Sequence, residues 1–238
     1  MANLYKFCIL FFILFYSVVS KAQTPGMILE PATGAGALVL DPNGDGYISI
    51  FPTGFVSSDA TESEIPFSRF VLPPLGEPPS DIENAPNCGF TDFVESVNID
   101  PGRSYVDASG NWLFRLRLGN IAPNAKSYSL LIDADGKFGN TGPNADPDWT
   151  ESNPGFEMEI TLATKFGVYV YDLRSTNVTP CAPVIFYKGT TNYQKSVALS
   201  QICTSINYFL VFYVKFSVIT SVFGYTKDTL MRYIIIDN

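Results

Sequence analysis

The chain has 238 residues, a formal net charge of −8, 46% hydrophobic and 14% aromatic residues, and not one histidine. Without histidine, Ser-His-Asp and Cys-His catalysis are excluded within the chain, and zinc loses a common ligand. The acidity argues against nucleic acid and against an anionic membrane surface as partners, since both would repel it. It suits a protein that holds divalent cations, or one that is simply soluble.

Residues 1–22 read as a secretory signal peptide. Lys6 gives a positive start, residues 7–19 are apolar, and Ser20 and Ala22 are the small residues before a cleavage that makes Gln23 the new N-terminus. The run is short for a membrane-spanning helix. Cleavage leaves about 216 residues. Losing Lys6 and Lys21 takes the basic count from 15 to 13 against 23 acids, a net charge of −10. The expected location is secreted, at the cell surface. Residues 23–71 read as an N-terminal β extension, a hairpin carrying an Asp-rich loop. Residues 72–86, LPPLGEPPSDIENAP, hold five prolines in fifteen residues and read as a linker, because proline on that scale rules out a central strand.

Residues 87–238 read as an antiparallel β-sandwich, jelly-roll-like, with long Gly/Pro/Asp-rich loops. Trp112, Phe114, Leu116 and Leu118 alternate with Arg115 and Arg117, placing the arginines on the face opposite the core. Residues 127–132 put Tyr128, Leu130 and Ile132 on one face; residues 157–162 alternate acid-out and apolar-in. Residues 168–171 are β-branched and aromatic, as a pleated half-buried surface requires. Period two runs on through Leu210, Phe212, Val214, Phe216 and Val218, and residues 234–236 make a last strand. Many short strands punctuated by Gly, Pro, Asn and Asp mean a sandwich or barrel, with no amphipathic helix of three turns. The apolar stretch 206–225 carries Lys215 at its middle, which is costly in lipid, so no stable membrane span is expected after signal cleavage. Cys181 and Cys203 flank what reads as a strand pair and are paired as a disulfide, which leaves Cys88 over as a buried thiol.

Two acidic loops carry the candidate chemistry. In Asp41-Pro42-Asn43-Gly44-Asp45-Gly46-Tyr47, side-chain oxygens fall at positions one, three and five and glycine at six, with the Tyr47 carbonyl available at seven. That spacing wraps a short backbone around a hard cation. Position twelve is Pro52 and not the bidentate glutamate of an EF-hand. Completion falls to Asp59, Glu62 or Glu64 after a different return of the chain. The second loop is Asp133-Ala134-Asp135-Gly136-Lys137, with Asp146 and Asp148 following. Asp133 and Asp135 share a side, so their carboxylates repel unless a cation, Lys137 or backbone amides lie between them. Glu157 and Glu159, two apart on a strand, either face solvent or complete this site. Calcium is the expected cofactor; a plain Asp/Asn/Gly turn is the alternative at both loops. Trp149, with Tyr169 and Tyr171, is a candidate aromatic surface for a sugar.

The stretches DPNGDGYIS at 41–49, SEIPF at 63–67, PNCGFTDFV at 86–94, and LLIDADGKFGNTGPNADPDW followed by NPGFEMEITLATKFGVYVYD resemble the N-terminal region of large secreted, adhesin-like surface proteins of gliding-type Gram-negative bacteria. The strand running into Asp133-Ala134-Asp135-Gly136 is also similar to sugar-binding sandwich modules. The resemblance implies surface display or adhesion, ahead of repeats and a C-terminal sorting domain. Neither occurs before Asn238, which implies a fragment, a truncated product or a stand-alone relative. The expectation is a non-catalytic, calcium-stabilised module whose partners are surface glycans or other cell-surface proteins. A carbohydrate-binding module and a carboxylate-dependent glycoside hydrolase are the alternatives.

Overall fold

The computed structural model describes residues 23–51, 54–58, 63–73, 88–96, 100–174, 182–202 and 205–237. Among them, eleven strands make two antiparallel sheets. They are β1 (Ile28–Glu30), β2 (Ser68–Arg69), β3 (Gly102–Val106), β4 (Asn111–Leu118), β5 (Ser127–Asp133), β6 (Met158–Ala163), β7 (Gly167–Asp172), β8 (Ile185–Lys188), β9 (Tyr193–Val197), β10 (Tyr208–Lys215) and β11 (Arg232–Asp237). The first sheet runs β1-β9-β10-β4-β3-β2 and the second β11-β5-β6-β7-β8. The chain is an all-β sandwich.

Alternation in the sequence sets which side chains meet. The register β4–β10 pairs Trp112 with Val214, Phe114 with Phe212 and Leu116 with Leu210. These face Tyr128, Leu130 and Ile132 of β5 and Met158, Ile160 and Leu162 of β6, all essentially solvent-free in one core. Leu116 is fully enclosed, so truncating it to alanine would cost about 2–5 kcal/mol in lost transfer energy and cavity. The two sheet edges meet where Val71 bridges Arg232 and the Tyr233 amide donates to the Val71 carbonyl at 2.8 Å.

The outer face of the first sheet is also covered, which alternation alone did not reveal. Arg115 and Arg117 do point away from the main core, yet both are buried. Residues of the N-terminal segment, including Leu40, Ile48, Ile65 and Phe67, build a second core there with Leu113, Phe209 and Val211. The guanidinium of Arg115 lies 4.3 Å from the Phe209 ring centroid and 5.0 Å from that of Phe67. Arg117 donates to the Ser200 carbonyl at 2.6 Å and to Asn207 Oδ1 at 3.0 Å. Their alkyl stems and flat cations fit between aromatic rings, so arginines at outward positions do not mean an outward solvent face. The N-terminal segment is correspondingly no hairpin: β1 pairs with β9 and β2 with β3, at opposite edges of one sheet.

Three further expectations change. Period two stops at Lys215, and Phe216–Phe223 is a helix that buries Phe216, Ile219 and Phe223 at helical spacing. Gly224, at φ 78°, closes it with its amide on the Thr220 carbonyl. The segment read as a strand pair holds β8 and β9, which belong to different sheets, because β8 pairs with β7 and β9 with β10 and β1. Cys88 is disulfide-bonded and therefore not a left-over thiol. The pairing expected of Cys181 and Cys203 lies outside the described residues, as do the signal peptide and most of the proline-rich linker.

Candidate functional site

The first acidic loop follows a short helix, Ala37–Leu40, with Asp41 as its C-cap. Gly44 and Gly46, at φ 72° and 83°, turn the chain through left-handed conformations that a β-carbon disfavours. The loop's own amides then fix the carboxylates. Asp41 Oδ1 accepts from Gly44 N at 3.1 Å and Oδ2 from Gly46 N at 3.1 Å. Asn43 Oδ1 accepts from Asp45 N, and Asp45 Oδ1 from Tyr47 N, both at 2.8 Å. Tyr47 bridges to Met27 and Ser49 to Ser63, which brings Glu64 back over the loop with its amide on the Ile48 carbonyl.

One oxygen each from Asp41, Asp45 and Glu64 lies within 4.8 Å of the others. Calcium holds oxygens at 2.3–2.6 Å, so two ligands on opposite sides of one ion stand about 5 Å apart. The set therefore matches the span of a single ion. The side-chain amide of Asn43 donates to Glu64 Oε1 at 2.7 Å and to Asp45 Oδ2 at 3.2 Å. Among the described residues no lysine or arginine forms an ion pair with these carboxylates. Burial raises the Glu64 pKa, and the charges on Asp41 and Asp45 raise it further against the lowering hydrogen bonds from Asn43. Of the three acids expected to complete the loop, Glu64 does so; Asp59 and Glu62 lie outside the described residues.

The second loop ends β5. Asp133, Asp135 and Glu157 also bring one oxygen each within 4.8 Å of one another. Glu157 precedes β6, its amide on the Ile132 carbonyl, and its Oε2 accepts from Ala134 N at 2.6 Å. Asp133 Oδ1 accepts from Gly136 N at 2.9 Å and Asp135 Oδ1 from Lys137 N at 2.8 Å. Here cations are already present. Arg232 Nη2 donates to Asp133 Oδ2, and Lys137 Nζ lies 3.2 Å from Asp135 Oδ2. Asp133 is wholly buried and Glu157 nearly so. Burial pushes the Glu157 pKa up to about 7, helped by the charges of Asp135, Asp133 and Asp146, against the Ala134 hydrogen bond. Burial also raises Asp133, although the Gly136 amide and Arg232 hold it back.

Glu157, just before β6, and Glu159, within it, thus part company. Glu157 joins the acidic cluster, while Glu159 sits half-buried on the sheet's outer face. There Ser129 Oγ donates to its Oε1 at 2.5 Å and Thr161 Oγ1 at 2.8 Å. Asp146 is buried beside this region, accepting from Asp148 N at 2.6 Å. Trp149 is half-buried in the same loop and stands apart from the ring stack of Tyr171, Tyr169 and Phe186. Arg232 had no signal in the sequence, since only the β5–β11 register sets it opposite Asp133.

No family model, no curated protein and no solved structure matches this chain.

Proposed function

We propose that this chain is a non-catalytic, calcium-stabilised β-sandwich module of a secreted, cell-surface adhesion-type protein. The observation that carries the reading is the convergence of Asp41, Asp45 and Glu64 around Asn43, with glycines at the turns and, among the described residues, no cationic side chain paired to them. Three carboxylates this close repel by on the order of 1 kcal/mol per pair in a water-like surrounding. A divalent ion removes that repulsion and uses the oxygens already gathered by the loop amides. Asn43 would turn its oxygen to the ion, and the Tyr47 carbonyl would add a backbone ligand. The cluster of Asp133, Asp135 and Glu157 is a second, weaker site, because Arg232 and Lys137 compete with the ion.

A non-catalytic role is supported by the lack of histidine and by carboxylates committed to backbone amides. Display outside the cell is supported by the leader-like residues 1–22 and the acidic balance. Thermal melting with calcium against chelator tests the cation. At a thousandfold excess over Kd, one site adds about 4 kcal/mol. For a domain near this size that is roughly an 8–16 °C rise in Tm. Most of the rise should be lost in Glu64→Gln. Equal melting in calcium and chelator would overturn the reading.

A further inference from the structure

The outer face of the second sheet presents a different chemistry from the acidic loops. Strand register lays side chains across it in rows. Leu131 of β5 stands opposite Glu159 of β6, and Glu159 opposite Tyr171 of β7. One row along, Thr161 stands opposite Tyr169 and Tyr169 opposite Phe186. The segment 148–156 overhangs the Leu131–Glu159 end and bounds a cavity of about 440 Å³. Its floor is apolar, with Leu131, Leu173 and Ile236, and its wall carries Asp148, Thr150 and Ser152. Volumes of this order are those of small-ligand sites.

Among the described residues, Glu159 is the one carboxylate that lines this cavity from the sheet. Both described donors to it, Ser129 and Thr161, bond to Oε1, so its orientation is fixed while Oε2 keeps its acceptor capacity. A fixed carboxylate beside an apolar floor and an aromatic ring matches a molecule with adjacent hydroxyls on one side and C–H groups on the other. Carboxylates accept hydrogen bonds from hydroxyl pairs at charge-assisted strength. Apolar floor and ring would take the C–H face. The chain's net charge of −8, with Asp148 at the rim, disfavours an anionic polymer.

We propose that this cavity binds neutral carbohydrate, with Glu159 as hydrogen-bond acceptor and Tyr171, its cross-strand neighbour, extending the surface beyond the cavity lining. The proposal stands on the sheet register and the cavity, independently of the cation reading.

Affinity electrophoresis of the full chain, in saturating calcium and again in chelator, tests it. The probes are xylan, mannan, laminarin and hydroxyethylcellulose, with poly-lysine as the cationic control. Two variants accompany the parent. Glu159→Gln keeps the side chain's size and loses its charge. Ser152→Trp fills the cavity from an exposed position that supports no core. Melting curves confirm that both variants fold. At least one polysaccharide should retard the parent, and each variant should weaken that retention tenfold or more. Retention by none of the four, retention that survives either variant, or binding of poly-lysine alone would overturn the proposal.

Discussion

Two loops of this molecule share one sequence idea and reach opposite electrostatic solutions. Both place an acid, then a second oxygen two residues on, then a glycine, and both draw a glutamate in from elsewhere. At Asp41, Asp45 and Glu64 the surroundings are half-exposed, and what lies between the carboxylates is the neutral amide of Asn43. At the second cluster Asp133 and Glu157 are buried while Asp135 is exposed, and Arg232 and Lys137 supply the positive charge. The first arrangement leaves net negative charge for an outside ion; the second carries most of its compensation within. Spacing along the chain specifies where oxygens gather. What neutralises them is decided by strands far away in sequence.

The strongest way to break this comparison is to remove the internal cation. Arg232→Ala leaves Asp133 buried with no guanidinium beside it. Breaking a buried pair from one side costs about 3–5 kcal/mol, because the remaining charge is uncompensated. Chemical denaturation in chelator should show that loss. Calcium should then recover part of it, since the ion now meets the second cluster without a competitor. Unchanged stability in Arg232→Ala would mean that the second cluster is not compensated in this way.

The sandwich itself was legible in the sequence because period two is a local property. Trp112 to Leu118, Tyr128 to Ile132 and Ile160 to Leu162 each show their core face within a few residues. The helix Phe216–Phe223 was not, because Leu210, Phe212, Val214, Phe216 and Val218 keep period two straight across the strand end, while Gly224 is the signal that closes a helix. Buried Arg115 and Arg117 were illegible for another reason. Their cover comes from residues 40–67, and nothing local distinguishes an arginine under aromatic rings from one in water. The same division holds at the sites. Asp41, Asn43, Asp45, Asp133 and Asp135 were readable as short-range patterns. The choice of Glu64, and of Glu157 over Glu159, depends on how the chain returns.

A smaller effect sharpens the comparison from the other loop. Asp45→Asn removes one of three repelling carboxylates at an exposed position. In chelator it should change stability by less than about 0.5 kcal/mol, as surface substitutions do. In calcium it should lose most of the gain in Tm. Calorimetric titration should then show the tighter binding event missing and the weaker one intact. If Asp135→Asn instead removes the tighter event, the ranking of the two clusters is reversed.

The last effect is read as a pH slope. Glu157 has a folded pKa near 7, above the ordinary glutamate value of about 4.3 in an unfolded chain. The folded state therefore binds the proton more tightly than the unfolded state does. Its contribution is fully present below the unfolded value and is lost as pH rises through the folded one. Asp133, also raised, acts with the same sign. In chelator, stability should decline between about pH 4.3 and about pH 7 more steeply in the parent than in Glu157→Gln, which cannot ionise and can still accept from Ala134. Calcium should flatten the parent's decline, because an ion among Asp133, Asp135 and Glu157 favours the ionised carboxylate. The difference between the parent and Glu157→Gln is the quantity to follow, since other acids titrate in both. Parallel slopes in chelator would place Glu157 in a more hydrated setting than its burial against Ala134 implies.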